Sequence, residues 1–63
     1  MPRKIRELEE DLRRAGFVKH AGKGNHRTWN HPKARVTVSG NPGDDVPDYL
    51  EKLARREIQK AKN

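Results

Sequence analysis

The residue types able to do chemistry are concentrated in Gly22-Lys23-Gly24-Asn25-His26-Arg27-Thr28-Trp29-Asn30-His31-Pro32. This stretch holds two of the three histidines, the only tryptophan and the cations Lys23 and Arg27. An imidazole takes or gives a proton near neutral pH, and flanking cations attract a phosphodiester. On RNA the neighbouring 2′-hydroxyl supplies the nucleophile, so His26 between Lys23 and Arg27 has the parts for strand cleavage without a metal ion. A surface histidine among basic residues is more often simply solvated, so the local pattern alone does not decide for catalysis.

Charge distribution adds to this. The net charge is +6 and the pI about 10.2. All nine acids lie between Glu7 and Asp11 or between Asp44 and Glu57, so residues 17–43 have none. That middle carries Lys19, Lys23, Arg27, Lys33 and Arg35, which is +5 of the +6, while ten bases against nine acids nearly cancel at the ends. A basic block of this kind is the electrostatic footprint of a nucleic-acid binder. Lys23, Arg27 and Arg35 are the expected phosphate contacts.

The remaining composition narrows the class. With no cysteine there is neither a disulfide framework nor a thiolate metal site, and no apolar run approaches a membrane span. A cytoplasmic protein without membrane association is expected. Residues 1–63 read as one domain, with no repeat or linker. At this size a core supplies only roughly 3–5 kcal/mol, which leaves room for pairing with another chain, as a homodimer or a hetero-oligomer.

Two helices and a sheet position the active stretch. From Arg3 to Ala15 the apolar Ile5, Leu8, Leu12 and Ala15 recur at helical spacing, with Glu9–Arg13 and Glu10–Arg14 one turn apart on a solvated face. Gly16 ends that helix. Phe17-Val18-Lys19-His20 reads as a strand, and a three-residue Gly22-Lys23-Gly24 loop with Gly24 at the left-handed bulge position leads to a second strand, Asn25 to His31. This hairpin places Phe17 opposite Trp29 and His20 opposite His26. Pro32 stops the strand, and a turn leads into Arg35-Val36-Thr37-Val38, with Trp29 opposite Val36.

Period-two alternation then puts Phe17, Trp29, Val36 and Val38 on one face, and His20, His26, Thr28, Asn30, Arg35 and Thr37 on the other. Asp44, Asp45 and Asp48 crowd the entry to the last helix, with Pro47 in its first turn and Leu50, Leu53, Ala54, Ile58 and Ala61 as its buried stripe. The fold class is α+β: α-β-β-β-α, a three-stranded antiparallel meander with both helices on one face.

In this frame His20 and His26 face one another on the open side, a pair able to divide the roles of base and acid between them. His31 lies an odd number of positions from His26 on the same strand and so faces away, which discounts a metal centre; its expected role is to cap the strand before Pro32. Trp29 is expected in the core, not stacked on a base. Gly22 and Gly24 make the loop. Tyr49 has no assigned role.

Nearly the whole chain resembles the HicA family of bacterial toxins, small ribosome-independent mRNA interferases paired with HicB antitoxins. The matching features are Arg14-Ala15-Gly16-Phe17, Gly24-Asn25-His26, Arg35-Val36-Thr37-Val38, the loop Asn41-Pro42-Gly43-Asp44-Asp45 and the closing helix. The resemblance implies a fold similar to double-stranded-RNA-binding domains, metal-independent cleavage of mRNA with no cofactor, and a HicB-like antitoxin partner covering the active face. The family's catalytic histidine maps onto His26, which makes His26 the expected catalytic residue with His20 auxiliary; Gly24 and Asn25 join Lys23, Arg27 and Arg35 as expected RNA contacts.

Two features depart from the family pattern. Many members have histidine where this chain has Asn41, and the charged end Gln59-Lys60-Ala61-Lys62-Asn63 replaces a common apolar tail. Asn41 favours a second reading, a non-catalytic RNA-binding module on the same sheet. A small DNA-binding regulator is a third, but neither helix has the character of a recognition helix.

Overall fold

The structure, a computed structural model, describes residues 2–62. The order is α1 (Ile5–Arg14), β1 (Val18–Ala21), β2 (Arg27–His31), β3 (Ala34–Val38) and α2 (Asp48–Lys62). The strands form one antiparallel sheet in the order β1-β2-β3. Asn63, the expected last residue of the closing helix, lies outside the described residues.

Each helix boundary has a local cause. At the end of α1, Gly16 adopts φ +96°, its N–H donates to the Arg13 carbonyl at 3.1 Å, and the Phe17 N–H donates to the Leu12 carbonyl at 3.0 Å. These are the two bonds of a Schellman cap. At its start, Glu7 reaches back to accept from the Lys4 N–H at 2.8 Å. The Ile5 and Arg6 amides donate to the carbonyls of Asp44 and Pro42 at 2.8 and 3.0 Å.

Asp44 and Asp45 therefore serve α1 and not, as the sequence suggested, the entry to α2. Asp45 also accepts from Lys4 Nζ at 2.6 Å. Asp48 and Glu51 alone occupy the acidic first turn of α2, and Pro47 stands just before the helix, where its carbonyl accepts from the Leu50 and Glu51 amides.

One apolar cluster joins the layers: Ile5, Leu8 and Leu12 from α1, Leu50 and Ala54 from α2, and Phe17, Trp29, Val36 and Val38 from the sheet. Val46, preceding α2, belongs to it as well. Leu53, Ile58 and Ala61 pack at its margin. Both helices thus cover the face that alternation marked as apolar. Arg3 ties them together, with Nε and Nη2 each donating to Glu51 at 2.9 Å and Nη1 donating to Asp11.

Glu57 is the one buried charged residue among those described. It falls seven positions after Leu50, on the buried stripe, and its carboxylate lies beside β3, accepting from the Arg35 N–H at 3.4 Å. The Lys60 ammonium, 3.0 Å away, is the main cause that lowers the Glu57 carboxyl below its ordinary value; burial opposes it, and the Arg35 N–H and Arg56 add to it. Glu57 thereby takes one of the amides that the outer edge of β3 would otherwise leave unpaired.

A carboxyl lowered in the folded chain stabilises the fold above its unfolded value, near 4.5, and that contribution is lost as pH falls through the folded value. The urea midpoint is expected to fall as the solution is acidified below about pH 4.5. Glu10, lowered chiefly by its hydrogen bond from Arg13, acts in the same direction. Replacing Glu57 with glutamine should flatten the profile; a pH dependence identical to the parent's would exclude Glu57 as a source.

Candidate functional site

The turn that carries His26 differs from the expected three-residue loop with its bulge at Gly24. Val18 pairs with Asn30, Lys19 with Trp29, His20 with Thr28 and Ala21 with Arg27. Beyond them the Gly22 N–H donates to the His26 carbonyl at 2.8 Å, while the His26 N–H donates to the Lys23 carbonyl at 3.2 Å. Two residues of one strand thus share a single partner, which is a bulge, and the tip is Gly24-Asn25. Gly24 takes φ +60° as expected, and Asn25 has no positive φ.

The register is consequently two residues away from the expected one. Phe17 is not opposite Trp29, nor His20 opposite His26. The cause is visible at Gly22, where an added Cβ would stand 3.1 Å from the His26 carbonyl oxygen. Only glycine admits that approach without displacement. A shift of two leaves every side chain on its expected face, because the side-chain period of a strand is also two. The Trp29–Val36 pairing between β2 and β3 is as expected.

The open face is therefore built in rows. One row holds His20, Thr28 and Thr37, and the next holds Val18, Asn30 and Arg35. His26 precedes β2 in the bulged turn and lies on the same side, since a Cβ added at Gly22, which alternates with His20, would stand 3.6 Å from the His26 Cβ. His20, His26, Lys23, Asn25 and Arg35 are all exposed. No strand residue is acidic. The structure thus brings His20, His26 and Arg35 to one face, with Lys23, Gly24 and Asn25 on the turn at its end.

Arg27 is not with them. It points to the helix side, where its Nε donates to Glu9 Oε2 at 2.6 Å and the two side chains are only 15% and 13% exposed. The same Glu9 oxygen accepts from Trp29 Nε1 at 2.9 Å. Arg27 Nη1 donates to the Asn25 carbonyl and Nη2 to the Gly40 carbonyl, both at 2.9 Å. With all these bonds made inside the fold, Arg27 clasps α1, the His26 turn and the loop after β3.

Glu9 likewise does not pair with Arg13 on a solvated face; Glu10 pairs with Arg13 and Arg14. Sequence reasoning passed over Glu9 although it lies at i+4 from Ile5, a stripe position where a carboxylate requires a partner.

His31 is also structural. Its ring packs against Phe17, with centroids 5.2 Å apart and tilted by 44°, and its Nδ1 accepts from the Lys33 N–H at 3.0 Å. It caps the β2–β3 turn on the side away from His26. Trp29 is buried, 5% exposed, and is not a stacking platform. Tyr49 stands exposed on the first turn of α2. Among the described residues no three His, Cys, Asp or Glu side chains gather as a metal site would need. No helix there is long and apolar enough to cross a membrane.

An α-β-β-β-α protein with a basic, acid-free sheet bearing two histidines is the class that fold and face define. The family described as HicA toxin of bacterial toxin-antitoxin matches residues 5–60. The chain belongs to the HicA toxin family. No curated protein matches the chain.

The two kinds of cation should separate in RNA-binding measurements. Lys23→Ala and Arg35→Ala are each expected to lower the slope of log K against log salt by about one. Arg27→Ala should leave that slope unchanged and instead destabilise the fold by about 2–3 kcal/mol, because it strands Glu9 half-enclosed. A reduced slope with parental stability for Arg27→Ala would return it to the RNA-contacting set.

Proposed function

We propose that this chain is a ribosome-independent mRNA endoribonuclease, the toxin of a type II toxin-antitoxin pair, with His26 essential and His20 auxiliary. One observation carries the reading: His20 on β1 and His26 at the adjoining turn are both exposed on one sheet face with Arg35 and no carboxylate. Cations at two ends of that face, Lys23 and Arg35, would hold phosphates on either side of the cleaved bond, with Gly24 and Asn25 at the turn against the backbone.

The chemistry needs only what the RNA and the imidazoles supply. A histidine in its neutral form accepts the 2′-hydroxyl proton as that oxygen attacks the adjacent phosphorus. The P–O5′ bond breaks, and a protonated imidazole returns a proton to the leaving oxygen. The products are a 2′,3′-cyclic phosphate and a 5′-hydroxyl. No metal enters the scheme, and the reaction belongs in the cytoplasm, where mRNA is available. A HicB-like antitoxin is the partner that membership of this family implies, and covering the open face would remove both histidines from substrate.

Asn41 supports the second reading, a non-catalytic RNA-binding module. It sits after β3, at the end of the sheet where the His26 turn also lies, since Arg27 opposite Val38 brings those two chain ends together. Its N–H donates to Asp44 and its carbonyl accepts from the Asp44 N–H, both at 2.9 Å. These are backbone bonds that any residue could make, so the loop keeps its shape without a histidine there.

Purified parent and His26→Ala proteins incubated with RNA in excess chelator distinguish the readings. The parent should produce fragments ending in 2′,3′-cyclic phosphate, and the His26 variant should lose at least about a hundredfold in rate. His20→Ala should lose less. If neither parent nor variant cleaves while both bind RNA with a steep salt dependence, the non-catalytic module is correct.

A further inference from the structure

The sheet has two edges, and they are treated differently. At β3 the Arg35 N–H is taken by Glu57. At β1 every residue, Val18 to Ala21, is exposed. The direction of its backbone groups follows from the flanks: the Gly22 N–H points inward to His26, and the Phe17 N–H points outward to Leu12. Since the groups alternate along a strand, Lys19 and Ala21 direct their N–H and C=O away from β2. These two donors and two acceptors have no partner within the sheet.

We propose that a second copy of this chain pairs there, β1 against β1 antiparallel, with the two-fold axis at His20. That register is self-complementary. Lys19 of one copy faces Ala21 of the other, and the two such pairs make four backbone hydrogen bonds that use every outward group of the two residues. His20 faces its own counterpart in a non-hydrogen-bonded pair, with Cα atoms about 4.5 Å apart. Val18, 59% exposed on the open face, comes opposite the partner's Gly22, which offers it a site without a side chain.

Both ends of the contact are already bounded, at Phe17 by the α1 cap and at Gly22 by the bulge. Lys19 and Ala21 are exposed even on the helix side, so α1 does not overhang the strand. The two-fold pairing is isologous and closes as a dimer, and Glu57 takes one of the outward amides of the opposite, β3 edge. The consequence is a continuous six-stranded sheet in which each copy contributes His20 beside the other's His20, on the face that carries both His26 residues.

Two short strands make a weak contact, so the test is sedimentation equilibrium on the full chain up to about 1 mM. The parent should show a monomer–dimer equilibrium. Ala21→Lys sets lysine opposite the partner's Lys19 twice and should weaken the dimer roughly tenfold; Ala21→Glu should tighten it by a similar factor. The double variant Lys19→Glu with Ala21→Lys should return to about the parental constant, which a variant that merely misfolds would not do. Circular dichroism of each variant verifies the fold.

Amide exchange adds a local readout, because protection at Lys19 and Ala21 should rise with protein concentration. A parent that stays monomeric at about 1 mM overturns the proposal. So does a dimer whose constant is the same for both Ala21 variants, which would place the contact elsewhere. Protection at Lys19 and Ala21 that appears only when an antitoxin is added would assign the edge to that partner and not to a second copy.

Discussion

One carboxylate, Glu9, holds the parts of this small protein in their working relation. It enters from α1 beneath the sheet and accepts from both Arg27 and Trp29 with a single oxygen. Arg27 then hands the connection to the carbonyls of Asn25 and Gly40. A charge pair so enclosed stabilises only if further hydrogen bonds support it, and here each of the three Arg27 nitrogens makes one. The helix, the central strand, the His26 turn and the loop after β3 thereby share one geometry. A chain of 63 residues has too little apolar surface to fix a surface turn by packing alone, so a polar clasp does it.

The clasp also separates two tasks that the sequence places side by side. Along Gly24-Asn25-His26-Arg27-Thr28, successive strand residues point to opposite faces. Arg27 is turned inward as structure, and His26 and Thr28 are turned outward toward solvent. The basic block of residues 17–43 therefore overstates the cations available on the open sheet, since Arg27 is internal and Lys19, opposite Trp29, lies on the helix side.

What was legible follows from the same alternation. The strand order, the apolar face of Phe17, Trp29, Val36 and Val38, and the histidine face survive an error of two residues in the hairpin register. The bulge at Gly22 and Lys23 was not legible, because it depends on how closely two backbones approach and not on residue types. Glu9 and Glu57 were missed for a different reason. Each lies on the buried stripe of its helix and reaches a group far along the chain: Arg27 and Trp29 for Glu9, and the Arg35 N–H for Glu57, which also pairs with the nearby Lys60. Asp44 and Asp45 were assigned to the helix that follows them, whereas the loop folds back to cap α1. For Glu9, Asp44 and Asp45, local charge rules favour the near neighbour, and tertiary contact chose the distant one.

The central claim is that RNA lies on the open sheet face while Arg27, Glu9 and Trp29 remain inside. The most direct measurement is an NMR titration of the parent with a short oligonucleotide whose 2′-hydroxyl at the cleavage position is removed, so that it binds without reacting. Shift changes at His20, Lys23, Asn25, His26, Thr28, Arg35 and Thr37, with the Trp29 indole N–H unmoved, are expected. Changes centred on α1, α2 and the Trp29 indole, with the two histidines silent, would contradict it.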